Sequence, residues 1–291
     1  MDIMPFSIGG VIAAIVDYLR SNFDPLFQVI SAFISIIIDN LTLFFNWLPV
    51  WAVFLLLGLL AIWRVGWQFT LFVVISFLVV MDMHLWPETM DTMALVVGST
   101  FVALLIGLPL GVAMAKSNLV AAIVRPILDF MQTLPAFVYL IPAAMFFGLG
   151  KVPGTIATVI FCMPPSVRLM NLGIRQVNEE NVEAGRAFGC NPTQLLFKVQ
   201  LPLAMPSIMA GINQTIMLSL SMVVIASMIG AGGLGDTVLT GIQRLNVGLG
   251  FEGGLGVVIV AILLDRLTQS FGSGNRGSSS LLTRLKNLFA G

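Results

Sequence analysis

Apolar residues fall along this chain in long blocks separated by brief polar interruptions. A helix needs about 20 mostly apolar residues to cross a bilayer. Seven blocks qualify, near 44–63, 65–81, 93–115, 135–149, 155–170, 208–229 and 254–267. The fourth and fifth are short and contain or adjoin Pro135, Pro142, Pro153 and Pro164-Pro165. Such interruptions are tolerated where neighbouring helices or a polar cavity satisfy the freed backbone groups. The stretch 6–38 is apolar but broken by Asp17, Arg20, Asp24 and Pro25, and it reads as an interfacial, amphipathic segment. A crossing helix is the alternative there. The expected organisation is an all-α, multi-pass membrane protein. It has an N-terminal extension at 1–43, two helices and an outer loop at 44–92, a core at 93–271 and a tail at 272–291.

Composition narrows the class. Of the 291 residues, 58% are hydrophobic and 10% are charged, against about 25% charge in soluble domains. Such a chain must give much of its surface to lipid, which excludes an ordinary cytosolic enzyme, a secreted disulfide scaffold and a disordered protein. Lys+Arg and Asp+Glu are both 14, so no charge excess points to nucleic acid. Cys162 and Cys190 set no disulfide framework and match no zinc spacing. The opening Met1-Asp2-Ile3-Met4 lacks a basic n-region, so no cleaved signal peptide is expected. Basic residues then orient the chain. Seven crossings put 11 Lys and Arg on one side and Arg20, Lys151 and Arg244 on the other. The N-terminus is therefore expected outside, and the C-terminus and the polar loop 171–206 in the cytoplasm.

That loop carries the most local information. Asn178 before Glu179 and Glu180 marks a helix start, with acidic residues favoured in the first turn. The helix is expected to reach Phe188 and stop at Gly189. Asn191-Pro192-Thr193-Gln194 opens a second helix with an N-cap, a proline at the first position and Gln three residues after the cap. Leu195, Leu196 and Val199 share a face before Pro202 is expected to end it. The small residues Ala184, Gly185, Ala187 and Gly189 leave one face of the first helix shallow enough for another protein to approach. Leu195 to Leu201 would hold the pair against the membrane helices.

These residues resemble a family. Glu183-Ala184-Gly185, then Gly189, Val199, Leu201 and Pro202 match the "EAA" loop of ABC importer permeases: E-A-A, three residues, G, nine residues, I-x-L-P. Gly185 replaces the second Ala, and Val199 replaces Ile. Segments 132–154, 196–215, 221–235 and 262–269 look like permeases for glycine betaine and proline betaine, and the resemblance covers 93–271. It implies a type I ABC importer permease fold in the bacterial inner membrane. It further implies a homodimer of permease subunits, an ABC ATPase subunit on each, and a periplasmic substrate-binding protein that delivers the solute. Glu183, Ala184, Gly185 and Gly189 would form the docking helix for the ATPase, with Leu201 and Pro202 as its anchor. Glycine betaine, proline betaine or choline would be the cargo, with another small osmolyte or amino acid as the alternative.

No catalytic set emerges. Gly230 to Gly235 satisfies G-x-G-x-x-G, but an apolar block precedes it where a dinucleotide site requires a strand. A flexible turn at the outer end of a helix is expected instead. Gly150-Lys151 is no phosphate loop, because Met145 stands where the first glycine is required. His84 is the only histidine, near Asp82, Glu88 and Asp91, and assembles neither a metal site nor a catalytic triad. The chain is expected to be a transport subunit with no cofactor of its own, ATP being used by the partner. The first six blocks hold no charge well inside, which disfavours a gradient-driven transporter. Asp265-Arg266 lies at the inner end of the seventh. Asn213, Gln214, Thr215, Ser219 and Ser221, with Thr155 and Thr158, are candidates for a solute path, interhelical hydrogen bonding being the alternative. No substrate site follows from them.

Overall fold

A computed structural model describes residues 8–272, and every regular element among them is helical. In lipid a chain must satisfy its backbone polar groups internally, which helices do within one segment. Five helices are long and apolar enough to cross a membrane: Ala14–Trp47, Trp86–Lys116, Lys151–Arg175, Pro192–Ile229 and Val247–Phe271. Helices α2 (Val50–Arg64) and α3 (Trp67–Asp82) are apolar but shorter, at 15 and 16 residues.

Helix α1 runs continuously over Ile8–Trp47 with one non-helical residue, Phe23, two before Pro25. Proline cannot donate to the preceding turn, so the bend falls where the sequence is interrupted. The expected boundary at 43 lies inside this helix, and the chain turns instead at Leu48-Pro49. Residues 1–7 of the N-terminal extension lie outside the described residues, as does the expected tail beyond Gly272.

Three helices form the central layer: α4 (Trp86–Lys116), α7 (Lys151–Arg175) and α10 (Leu201–Ala226). Small residues let them approach. A Cβ at Gly111 of α4 would lie 2.6 Å from Met170 Cβ of α7, and one at Gly211 of α10 would lie 3.1 Å from Leu169 Cβ. This is how membrane helices gain packing energy without a hydrophobic drive between them. Pro164 and Pro165 are buried inside α7, where neighbouring helices shield the loosened backbone.

The expected short, proline-interrupted span at 135–149 is part of a longer, sharply bent pair. Helix α5 (Asn118–Thr133) is followed by a 3-10 turn (Ala136–Tyr139) and the eight-residue α6 (Leu140–Phe147), the two arms meeting at 109°. Pro135 sets this break by favouring extended backbone at Leu134 (φ −70°, ψ 135°). The Tyr139 hydroxyl donates across the corner to the Met131 carbonyl. Helix α5 itself escaped the hydropathy reading. Ala121 and Leu128 are buried on one face, while Arg125 and Asp129 interrupt its apolar run. Asp129 pairs with Arg168 of α7 at 2.6 Å.

At the opposite end from the polar loop, Gly230, Gly232 and Gly233 all take positive φ and turn the chain from α10 into α11 (Leu234–Gln243). The expected turn is present, followed by a helix that the sequence did not suggest. The turn is clamped to α4: the Leu234 N–H donates to Thr92 Oγ1 at 2.8 Å. Helix α12 (Val247–Gly272) returns beside α10, and Asn213 Nδ2 donates to Asp265 Oδ1 at 2.7 Å.

Candidate functional site

The loop between α7 and α10 folds as a compact pair of short helices. Asn178 caps α8 (Glu179–Ala187), its Oδ1 accepting from the Glu180 N–H at 3.1 Å. Glu179 and Glu180 occupy the first turn, where carboxylates meet the positive end of the helix dipole. At the far end Gly189 adopts φ +80°. The Cys190 N–H then reaches the Gly185 carbonyl at 3.0 Å and the Gly189 N–H reaches Arg186 at 2.9 Å. These two bonds complete a Schellman termination.

Helix α9 (Pro192–Leu195) opens with a reciprocal capping box. Gln194 N–H donates to Asn191 Oδ1 at 2.8 Å, and Asn191 N–H donates to Gln194 Oε1 at 3.0 Å. Both helix starts therefore match the sequence reading. The ending does not. Pro202 was expected to terminate the second helix, yet the chain passes through a π-helical turn (Leu196–Gln200) directly into α10. The Leu201 N–H bonds back to the Leu196 carbonyl, and Pro202 sits in the first turn of α10. A proline at such a position gives up a donor that the first turn leaves unpaired anyway. The knob is thus a rigid continuation of a core membrane helix.

Glu183, Ala184 and Gly189 are exposed on the knob. Gly185 is buried, and this corrects the idea that it opens a shallow face to a partner. A Cβ there would lie 2.8 Å from Leu195 Cδ1 and 3.3 Å from Val199 Cγ2, so its missing side chain serves packing within the chain. Leu201 packs against a cluster formed by Met170, Ile174, Leu196, Ala204 and Ile208. Pro202 is exposed and joins no such cluster.

Sequence reasoning missed Phe188, which is 90% exposed at the tip of the knob. A large aromatic ending a hydrophilic helix, with only Ala184 and Gly185 four and three positions before it to share a face, was the available signal. Beside α8 lies an open groove of about 300 Å³, bordered by Ala115, Arg175, Glu179, Glu183, Arg186 and Gln200. Arg175 fixes its floor. Its guanidinium donates to Asn171 Oδ1 at 2.9 Å, the Met114 carbonyl at 2.7 Å and Asn118 Oδ1 at 2.9 Å. One side chain so ties the C-terminal ends of α4 and α7 to the start of α5, as a guanidinium fork can.

A family model described as the inner membrane component of binding-protein-dependent transport systems matches residues 107–273, more than half of the chain and including the whole knob. The chain belongs to this family. It is 52% identical over 255 residues to a glycine betaine/carnitine transport permease of Listeria monocytogenes serotype 1/2a (strain 10403S), covering 86% of this chain and 90% of that one. It is 47% identical over 280 residues to a glycine betaine/proline betaine transport system permease of Escherichia coli (strain K12), covering 92% and 79%. The inward-facing methionine ABC transporter in its native CY5 crystal form shares the fold, with a TM-score of 0.55 at 24% identity over 66% of this chain and 94% of that chain. The chain is thus a multi-pass transport permease of the type I ABC importer fold.

The polar residues of the membrane helices divide sharply within this family member. Thr155, Thr158 and Thr215 donate to carbonyls of their own helices at 2.7–2.9 Å. Ser219 joins α10 to α4 through the Val96 carbonyl and Thr100, both at 3.3 Å. Asn213 bonds Asp265 and accepts from Thr268 Oγ1 at 2.5 Å, so Asp265 is paired inside the bundle. Gln214 and Ser221 alone in this group are exposed. Among the described residues no metal-binding cluster assembles around His84 or elsewhere.

Proposed function

We propose that this chain is the membrane subunit of an ATP-driven importer for a betaine-like quaternary amine, working as a homodimer with an ATPase subunit on each knob and a periplasmic binding protein on the outer face. The observation that carries this reading is the rigid knob itself. Exposed Glu183, Ala184 and Phe188 stand on a helix that is capped at both ends and wedged through Gly185 against a turn continuous with α10. Force applied at the knob passes into a core helix with no flexible joint between them. The substrate class is supported by the relatives, whose names specify glycine betaine with carnitine or proline betaine.

In this mechanism ATP binding closes the ATPase pair, the two knobs approach, and the membrane helices favour an outward-open state that accepts solute. Hydrolysis returns them. Each nucleotide state shifts the equilibrium only through its different grip on the knobs. Lys151 and Asp91, 3.3 Å apart, then lie at the outer end with the glycine turn, and the knob lies in the cytoplasm.

The test is uptake of labelled glycine betaine by proteoliposomes holding this chain, its ATPase and its binding protein. Uptake should require ATP and all three components. Equal uptake driven by an ion gradient, with no ATPase present, would overturn the reading. Competition by carnitine, choline and proline betaine sets the range of cargo.

A further inference from the structure

Helix α10 presents one long face that none of the described residues covers. Leu203, Ala210, Gln214, Met217 and Ser221 are exposed, and so is Met228 in the 3-10 turn (Ser227–Ile229) that follows. At 100° per residue the five on α10 fall within an arc of about 60°. Much of the rest of α10 packs on α4, α7 and α12, although Met205 and Pro206 near the knob are also exposed. Gln214 is the fourteenth of the helix's 26 residues and so lies near mid-membrane. Its amide meets no partner among the described residues, whereas its neighbour Asn213 is bonded to α12 through Asp265 and Thr268.

A carboxamide turned toward acyl chains at that depth would leave two donors and an acceptor unmet, so polar side chains in spans face the bundle interior or a water-filled cavity. We propose that this face of α10 is a wall of the solute path, with the Gln214 amide as a donor to the carboxylate of a zwitterionic quaternary amine. The proposal rests on the importer reading and names the side chains that meet its cargo. Ser221 lies two turns toward the outer end, and its hydroxyl already donates to the Met217 carbonyl, leaving its oxygen as an acceptor. Met217 and Met228 supply flexible, polarizable surface that adapts to methylated heads without a rigid pocket. One donor and a soft wall make a weak site, which suits passage rather than capture.

Cysteine accessibility decides the matter. In a Cys190→Ser background, with Cys162 left in place because it is fully buried, single variants Gln214→Cys, Met217→Cys and Ser221→Cys are assembled with the ATPase in liposomes. Leu59→Cys, on the exposed apolar surface of α2, serves as the lipid-facing control. The probe is a methanethiosulfonate carrying a trimethylammonium group. A thiolate attacks its sulfenyl sulfur, forming a mixed disulfide and releasing methanesulfinate. Because only a hydrated thiol ionises readily, the α10 cysteines should react at least about tenfold faster than the control. Glycine betaine should slow the reaction, and modified transporter should lose uptake. Rates no higher than that of Leu59→Cys would overturn the proposal. So would disulfide cross-linking between two copies at 214 without modification, which would make this face a dry contact between subunits. A parent that carries no amine sinks the importer reading, while the labelling rates still decide whether the face is wet.

Discussion

Gly185 and Leu195 are packed so closely that a Cβ at 185 would lie 2.8 Å from Leu195 Cδ1. That contact joins α8 to α9, and it makes residue 185 part of the knob's internal packing rather than its outer face. Gly185→Ala should be tolerated, because the atom it meets is the far end of a rotatable side chain. Gly185→Val should overpack the contact at a cost of about 1–3 kcal/mol. Its signature is loss of ATP-dependent uptake with membrane insertion retained.

Phe188 gives the complementary test. Its side chain is 90% exposed among the described residues, so Phe188→Ala should leave the melting temperature of the isolated subunit unchanged. If the ring anchors the ATPase, its removal should weaken capture by about 2 kcal/mol or more, the range of aromatic hot spots. Titration of detergent-solubilised subunit with ATPase measures both.

On the outer side, Thr92→Val should leave the buried Leu234 N–H without an acceptor, costing about 1–3 kcal/mol. Faster amide hydrogen exchange across the 230–234 turn is the expected readout. Thr92→Ser keeps the oxygen and should exchange like the parent.

Removing Asp265 as Asp265→Ala strands Asn213 Nδ2 between α10 and α12. Thermal unfolding in detergent should occur at lower temperature, by an amount that corresponds to about 1–3 kcal/mol. Asn213→Ala combined with it should cost less than the sum of the single changes, since the two share one network.

Orientation is a further test. Helix α1 lies antiparallel to α4, with Asn46 Nδ2 donating to Asp91 Oδ1 at 3.1 Å near Lys151. If Ala14–Trp47 crosses the membrane, the chain begins on the same side as the knob, whereas seven crossings begin it outside. An N-terminal reporter should be active in the cytoplasm in the first case and in the periplasm in the second.

Much of the knob was legible because its signals are local. Asn178, Gly189 and the pair Asn191 and Gln194 act through bonds spanning two to five residues, so spacing alone reveals them. Pro202 misled for the same reason. Whether a proline ends a helix or sits in the first turn of the next depends on the turn before it, here a π-helical one that hydropathy does not register. Gly185 was assigned to the wrong face because a glycine in a sequence marks room without saying what fills it. Helix α5 was passed over because its charged positions, Arg125 and Asp129, lower its hydropathy, though Asp129 is matched by Arg168 of another helix.

By itself the sequence determined that this is a membrane-embedded helical chain, where its caps and turns fall, and which loop bears the family's motif. Those properties follow from transfer of apolar segments into lipid and from bonds between near neighbours, both readable along one dimension. Tertiary structure decided which face each residue shows: Gly185 inward to Leu195, Asn213 bonded to Asp265, and Gln214 outward, with no partner among the described residues. That choice depends on which distant helix covers each side of α10, and only the packing of α4, α7 and α12 around it supplies the answer.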